Sequence, residues 1–411
     1  MASHIPFVQS GRDCNILQQF YSDSKIVRVS LESIHNVQGK LPESVGLWMD
    51  PSVDGYNYRL TTKWPTSKPR RDWKPGLQQL WNKWENVFQK FTEFQILADK
   101  NSWRQSCYEK LRSFVYEVLN ECFRHRPVWI TVPQLPIVSD GSRNRINRML
   151  ADATKEWKIS SCYRGKLILP LVFTLQKQLN SKPIRDKKLN VARDCWERAT
   201  ADGVWVVDTS VVDQQRNENF PKRYLKLIEF HKLLRKELPK DTTIVAGPYW
   251  GINLVLWAQG LCDYPAITLG TKYGYYISCG RPQTGSIRLA IPPLRRRAVT
   301  QGLKSWLPKA IDKLSPTDPA HRELENLRSN FGVLTNREAA INQVARFYKK
   351  WFDEIETIPP ASRALGLYQD LSSAFVIGRQ LPKLPRDTLP HCSASAREAG
   401  KVAEQLMLQC L

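Results

Sequence analysis

Short, almost wholly apolar runs alternate with longer stretches whose apolar residues recur at helical spacing, and this alternation predicts strands and helices in turn. The run 45–49 ends at Asp50. The run 128–132 precedes a helix over about 141–157, and 166–173 precedes one over about 186–199. Residues 203–207 end at Asp208 and lead to a helix over about 219–237, while 242–246 lead to one over about 250–260. Runs at 266–269 and 286–291 follow. Apolar strands separated by amphipathic helices signal a parallel sheet covered on both faces. The expected class is therefore α/β, a (β/α)8 TIM-like barrel, with an open doubly wound sheet as the alternative. No GxGxxG turn follows any strand, so nothing favours a dinucleotide-binding fold.

The same pattern divides the chain. Residues 1–44 read as an N-terminal extension with a β-like run at 25–30, and 45–298 as the barrel, with 286–291 as its last strand. Two further helices are predicted at about 76–98 and 103–123, after a loop over 61–76 rich in proline and basic residues. From 299 to 411 the chain reads as a C-terminal helical layer, through Trp306, Phe347, Trp351 and Leu371.

Charge adds a partner to this picture. Lysine and arginine number 61 against 39 acidic residues, a formal net charge of +22. A polyanion is the natural counterpart of such a surface. Nucleic acid is the expected partner, because neutralising phosphates releases counterions and gives affinity independent of sequence. No apolar run approaches the roughly 18 residues of a membrane span, and residues 1–9 lack the pattern of a signal peptide. The expectation is a cytoplasmic protein with no membrane partner. Nine cysteines lie far apart without a CxxC pair, and six histidines form neither HxxxH nor HExxH. No metal and no cofactor are expected.

In barrels of this kind the reactive groups come from the C-terminal ends of the strands and the loops that follow. Asp50 is the first candidate, with Asp54 and Tyr56 in the next turn. A carboxylate at a strand end beside aromatic rings suits activation of water or stabilisation of a cationic sugar; Asp-Pro-Ser and Asp-Gly are also ordinary turn formers. Asp208 is the second carboxylate, with a hydrogen-bonded loop role as its alternative. Gln134 has an amide suited to a base edge. Gly247 allows close approach of backbone to a ligand, and Tyr249, Trp250 and Tyr273 offer faces for an extruded base, although core packing competes for Trp250. Lys68, Arg70, Arg71, Lys74, Lys272 and the run Arg295, Arg296, Arg297 are candidate phosphate contacts.

The order of these segments resembles the tRNA-guanine transglycosylase superfamily. Leu47-Trp-Met-Asp50 with Asp54-Gly-Tyr56 is similar to that family's Asp-Ser-Gly-Gly-Phe loop, and the 202–207 stretch to its substrate-contacting strand. Leu238-Pro followed by a strand ending in Gly247 and a helix ending in Gln259-Gly260 is the strongest likeness, and altogether the likeness spans about 45–275. The resemblance implies a base-flipping barrel in which Asp50 works at the flipped base and sugar. Two features depart from it. The segment 263–271 has no carboxylate at the point of the family's nucleophile, and the clustered zinc cysteines are missing. Together these imply hydrolysis of an N-glycosidic bond, as in relatives that remove bulky modified cytosines from phage DNA. The expected function is a DNA glycosylase acting in antiviral defence. Base exchange on tRNA or DNA, with Asp208 or Asp263 as a displaced nucleophile, and a non-catalytic nucleic-acid-binding barrel are the alternatives.

Overall fold

The computed structural model describes residues 4–31, 33–51, 105–137, 141–173, 179–208, 220–249, 251–269 and 287–384. Eight strands close a parallel barrel in sequence order: β1 (Ile5–Val8), β2 (Ile26–Ser30), β3 (Gly46–Asp50), β4 (Trp129–Thr131), β5 (Lys166–Phe173), β6 (Gly203–Asp208), β7 (Thr243–Ala246) and β8 (Tyr264–Thr268). Closure is made by β1, which pairs with β2 on one side and with β8 on the other. Helices α1 (Gly11–Phe20), α2 (Ile34–Val37), α3 (Gln105–Phe123), α4 (Gly141–Ser160), α5 (Lys182–Ala199), α6 (Phe220–Glu237) and α7 (Ile252–Ala258) follow strands one to seven in turn.

The expected barrel is present, with different limits. Residues 1–44 are no extension: they supply β1, β2 and the two helices between β1 and β3. The run at 286–291 is not a barrel strand either. It becomes β9 (Arg288–Ile291), paired antiparallel with β10 (Arg296–Val299) in a separate two-stranded sheet. An antiparallel pair cannot continue a parallel ladder that β1 and β8 have already closed.

Helices α8 (Leu303–Ile311), α9 (Pro319–Ser329), α10 (Phe331–Leu334), α11 (Arg337–Glu356) and α12 (Arg363–Gln380) form the C-terminal layer. Asp318 caps α9 ahead of a proline at its first turn, and Asn336 caps α11 through the amides of Glu338 and Ala339, which satisfies N–H groups that a helix start leaves open. One side of this layer packs on the hairpin around Leu289, Trp306 and Leu324. The other side of α11 joins the main core through Val344, Tyr348 and Phe352. It lies between α1 and α7: the Tyr21 hydroxyl donates to the Ala345 carbonyl at 3.0 Å, and the Tyr348 hydroxyl to Asn253 Oδ1 at 2.6 Å. Phe352 stacks on Trp257 at 4.6 Å. Helix α11 thus covers the barrel between α1 and α7.

Period-two alternation sorts each strand into an inner and an outer face. Phe7, Trp48, Trp129, Ile168, Trp205, Val207, Val245 and Ala266 fill the inside. The rings meet edge to face, Trp48 at 5.8 Å from Phe7, 5.8 Å from Trp129 and 5.4 Å from Trp205. Both buried indoles keep a polar partner: Trp48 Nε1 donates to Thr131 Oγ1 at 2.9 Å, and Trp205 Nε1 to the Gly247 carbonyl at 2.6 Å. Each such ring buries about 150–250 Å², which at ~25 cal/mol per Å² contributes about 4–6 kcal/mol. The interior is a packed floor below the mouth.

Candidate active site at the C-terminal mouth of the barrel

Asp50 ends β3 on the inner face, in line with Trp48. The register sets Arg28 of β2 beside Trp48 and Ser30 beside Asp50, so Arg28 enters the barrel one step deeper than the carboxylate. Its guanidinium bonds Asp50 Oδ2 through Nη2. Both residues are 1% exposed. The guanidinium lies 4.5 Å from the Phe7 ring centroid and 5.1 Å from that of Trp205. The result is a buried ion pair at the mouth, standing on a floor of aromatic rings.

Asp208 ends β6 and is fully buried, yet alternation puts it with Val204 and Val206 on the outer, helix-facing side. Its backbone N–H donates to the Tyr249 hydroxyl. The two carboxylates expected to act together leave their strands on opposite faces, so the structure does not join them into one site. Asp263 sits at the other end of the barrel, just before β8, where Oδ2 accepts the Ile244 N–H at 2.7 Å and Oδ1 pairs with Arg235 at 2.6 Å. It cannot reach a ligand at the mouth.

Three more candidates have structural partners. Gln134 is buried, and its amide donates to the Asn147 carbonyl at 2.9 Å. Asn147 in turn accepts the Leu135 N–H at 2.8 Å and donates to its carbonyl at 3.1 Å. This exchange fastens the segment after β4 to α4, so Gln134 holds the rim in place of a base edge. Gly247 has φ of +95°, and a Cβ there would come within 2.7 Å of the Tyr249 amide. Glycine is required by this turn. Tyr249 is itself buried, so its ring faces the core and presents no open face to a base.

The run Arg295–Arg297 departs furthest from expectation. Arg295 lies in the turn between β9 and β10, where it holds Asp370 of α12 through Nε at 2.9 Å and Nη2 at 2.6 Å. Arg297 is 2% exposed on β10 and Arg296 is half-buried. Three consecutive arginines read as an open cationic surface, but the hairpin turns two of them inward to pair and pack. Arg295 also borders a cleft of about 630 Å³ beside Glu323, Arg346 and Trp351, which shares no residue with the barrel strands. Asp54, Tyr56, Lys68, Arg70, Arg71, Lys74, Trp250, Lys272 and Tyr273 lie outside the described residues.

Set against known protein families and curated proteins, the chain matches none. Among the described residues no three His, Cys, Asp or Glu side chains gather as metal ligands, and no helix is long and apolar enough to cross a membrane.

Arg28 is the residue that sequence reasoning passed over. Its signal was present: one arginine at the centre of the apolar run Ile26-Val-Arg-Val-Ser30. In an extension outside the barrel that charge would face water, whereas pairing of β2 with β1 and β3 turns it inward.

Proposed function

We propose that this protein is a DNA glycosylase that hydrolyses the N-glycosidic bond of a modified base and leaves an abasic site. The observation that carries the reading is the Asp50 carboxylate, buried at the C-terminal end of a barrel strand beside its counter-charge Arg28. Reactive groups of such barrels sit at that end. A buried carboxylate there suits a reaction that builds positive charge on a sugar. The net charge of +22 supports a polyanionic substrate. The resemblance of the chain order to base-exchanging barrels supports a nucleobase as the leaving group, and its missing nucleophile supports water as the acceptor. The same resemblance supports modified cytosines of phage DNA as the substrate and antiviral defence as the setting.

In this mechanism the target nucleotide leaves the stack and enters the mouth, at a cost of a few kcal/mol in unstacking that is smaller for a modified base. As the C–N bond breaks, its electron pair leaves with the base and the sugar becomes oxocarbenium-like. Asp50 faces that charge as an anion. Water adds to the anomeric carbon, and the proton it loses neutralises the departing base.

The test is base release, read by mass spectrometry, from unmodified DNA, phage DNA with hydroxymethylated or glucosylated cytosine, and bulk tRNA. A free modified base with alkali-labile sites in the DNA is expected without any added base. Release only when a free base is supplied would indicate exchange instead.

A further inference from the structure

We infer that Arg28 is a positioning residue for Asp50: it holds the carboxylate as an oriented anion, so that Asp50 stabilises the sugar cation and does not donate a proton. This rests on the glycosylase reading above.

Stability alone does not account for the pair. A buried ion pair is often no more stabilising than well-packed apolar side chains of similar volume, because desolvation offsets the attraction. The neighbouring inward positions show the apolar solution in use: Phe7 and Trp48, in register with Arg28, are apolar and well packed. A guanidinium nevertheless reaches up from this layer to meet the Asp50 carboxylate above it.

The geometry fits the role. Guanidinium has no acid–base chemistry of its own near neutral pH, so Arg28 cannot act as the proton donor. The Phe7 and Trp205 rings lie against it, and both are buried in the closed floor. Packed between these rings, the cation has little room to turn, and the carboxylate bonded to it takes its orientation from the floor of the barrel. Burial by itself favours the neutral acid form of a carboxyl group; an adjacent buried cation favours the anion. A site that must present an anion away from bulk solvent, admitting water only as the nucleophile, needs such a counter-charge on the side away from the substrate, and Arg28 supplies it from below.

The experiment is steady-state base release by the full chain from phage DNA carrying modified cytosine, for wild type, Arg28→Met and Arg28→Lys. Salt-dependent DNA binding and cooperative melting identify the folded variants. Removing the charge is expected to lower kcat by about 100-fold with KM within about threefold, as for an interaction realised in the transition state. Arg28→Lys, which restores the charge without the planar fork, is expected to recover kcat to within about tenfold of wild type. Should the methionine variant not fold, the lysine variant alone decides, through a lowered kcat at unchanged KM. Raised KM with unchanged kcat, or wild-type rates in Arg28→Met, overturns the proposal and leaves the glycosylase reading standing. A wild type that releases no base refutes that reading, and the proposal with it.

Discussion

Removing the Arg28 charge alone leaves the Asp50 carboxylate buried without this cation, and breaking such a pair costs about 3–5 kcal/mol. Arg28→Met should therefore lower the denaturant midpoint sharply. Combining it with Asp50→Leu should recover most of the loss, since the two charges leave together. A double variant as unstable as the two single losses summed would show that the residues are not coupled. Histidine chemistry gives a second test at this scale. Burial lowers His231 to about 4, with Nδ1 3.2 Å from the Leu261 carbonyl oxygen. Burial likewise lowers His4 to about 3, with Asp23 opposing and Lys349 reinforcing the shift. Unfolded, both titrate near pH 6.5. Below that pH the unfolded chain takes up protons that the folded chain does not, so stability is expected to fall as pH drops from about 6.5 towards 4. His231→Phe should make the fall of melting temperature shallower, and an unchanged slope would contradict this account of the imidazole.

Trp48 tests the element scale, because β3 carries both the aromatic floor and Asp50. Trp48→Ala should destabilise by about 3–5 kcal/mol through the cavity left among Phe7, Trp129 and Trp205, whereas Trp48→Phe should cost less; equal losses in urea denaturation would contradict the packing described. Legibility in the sequence followed the same physics. Strands β3 to β8 are apolar runs followed by turns, and they read correctly to within a few residues. β1 did not: four residues interrupted by Pro6 carry no periodicity, and only pairing with β2 and β8 makes them a strand. Asp50 was legible because a strand ended on it, and its partner was not, since register and closure bring Arg28 to it from a separate stretch of chain. Asp208 misled because a strand-end position does not reveal which face a side chain takes. Arg295 belongs here as well. Its grip on Asp370 joins the turn before β10 to α12, so Arg295→Ala should lower thermal stability and leave the salt dependence of DNA binding unchanged; a shallower salt slope would place it on the phosphates after all.

At the scale of the molecule, a closed barrel covered by helices and a C-terminal layer carries a buried charge pair at its mouth, where the proposed function puts the incoming nucleotide. In that proposal the 61 basic residues against 39 acidic ones supply long-range attraction to the nucleic acid, and chemistry is left to the inner face of a few strand ends. Fold and charge are shared by many unrelated activities, so the claim of function stands on Asp50. The most direct measurement is release of free base from phage DNA with modified cytosines by the wild type and by Asp50→Asn, with melting curves for both. The account predicts free modified base and alkali-labile sites from the wild type, and none from a folded Asp50→Asn. No released base from the wild type, or equal release by the variant, would contradict it.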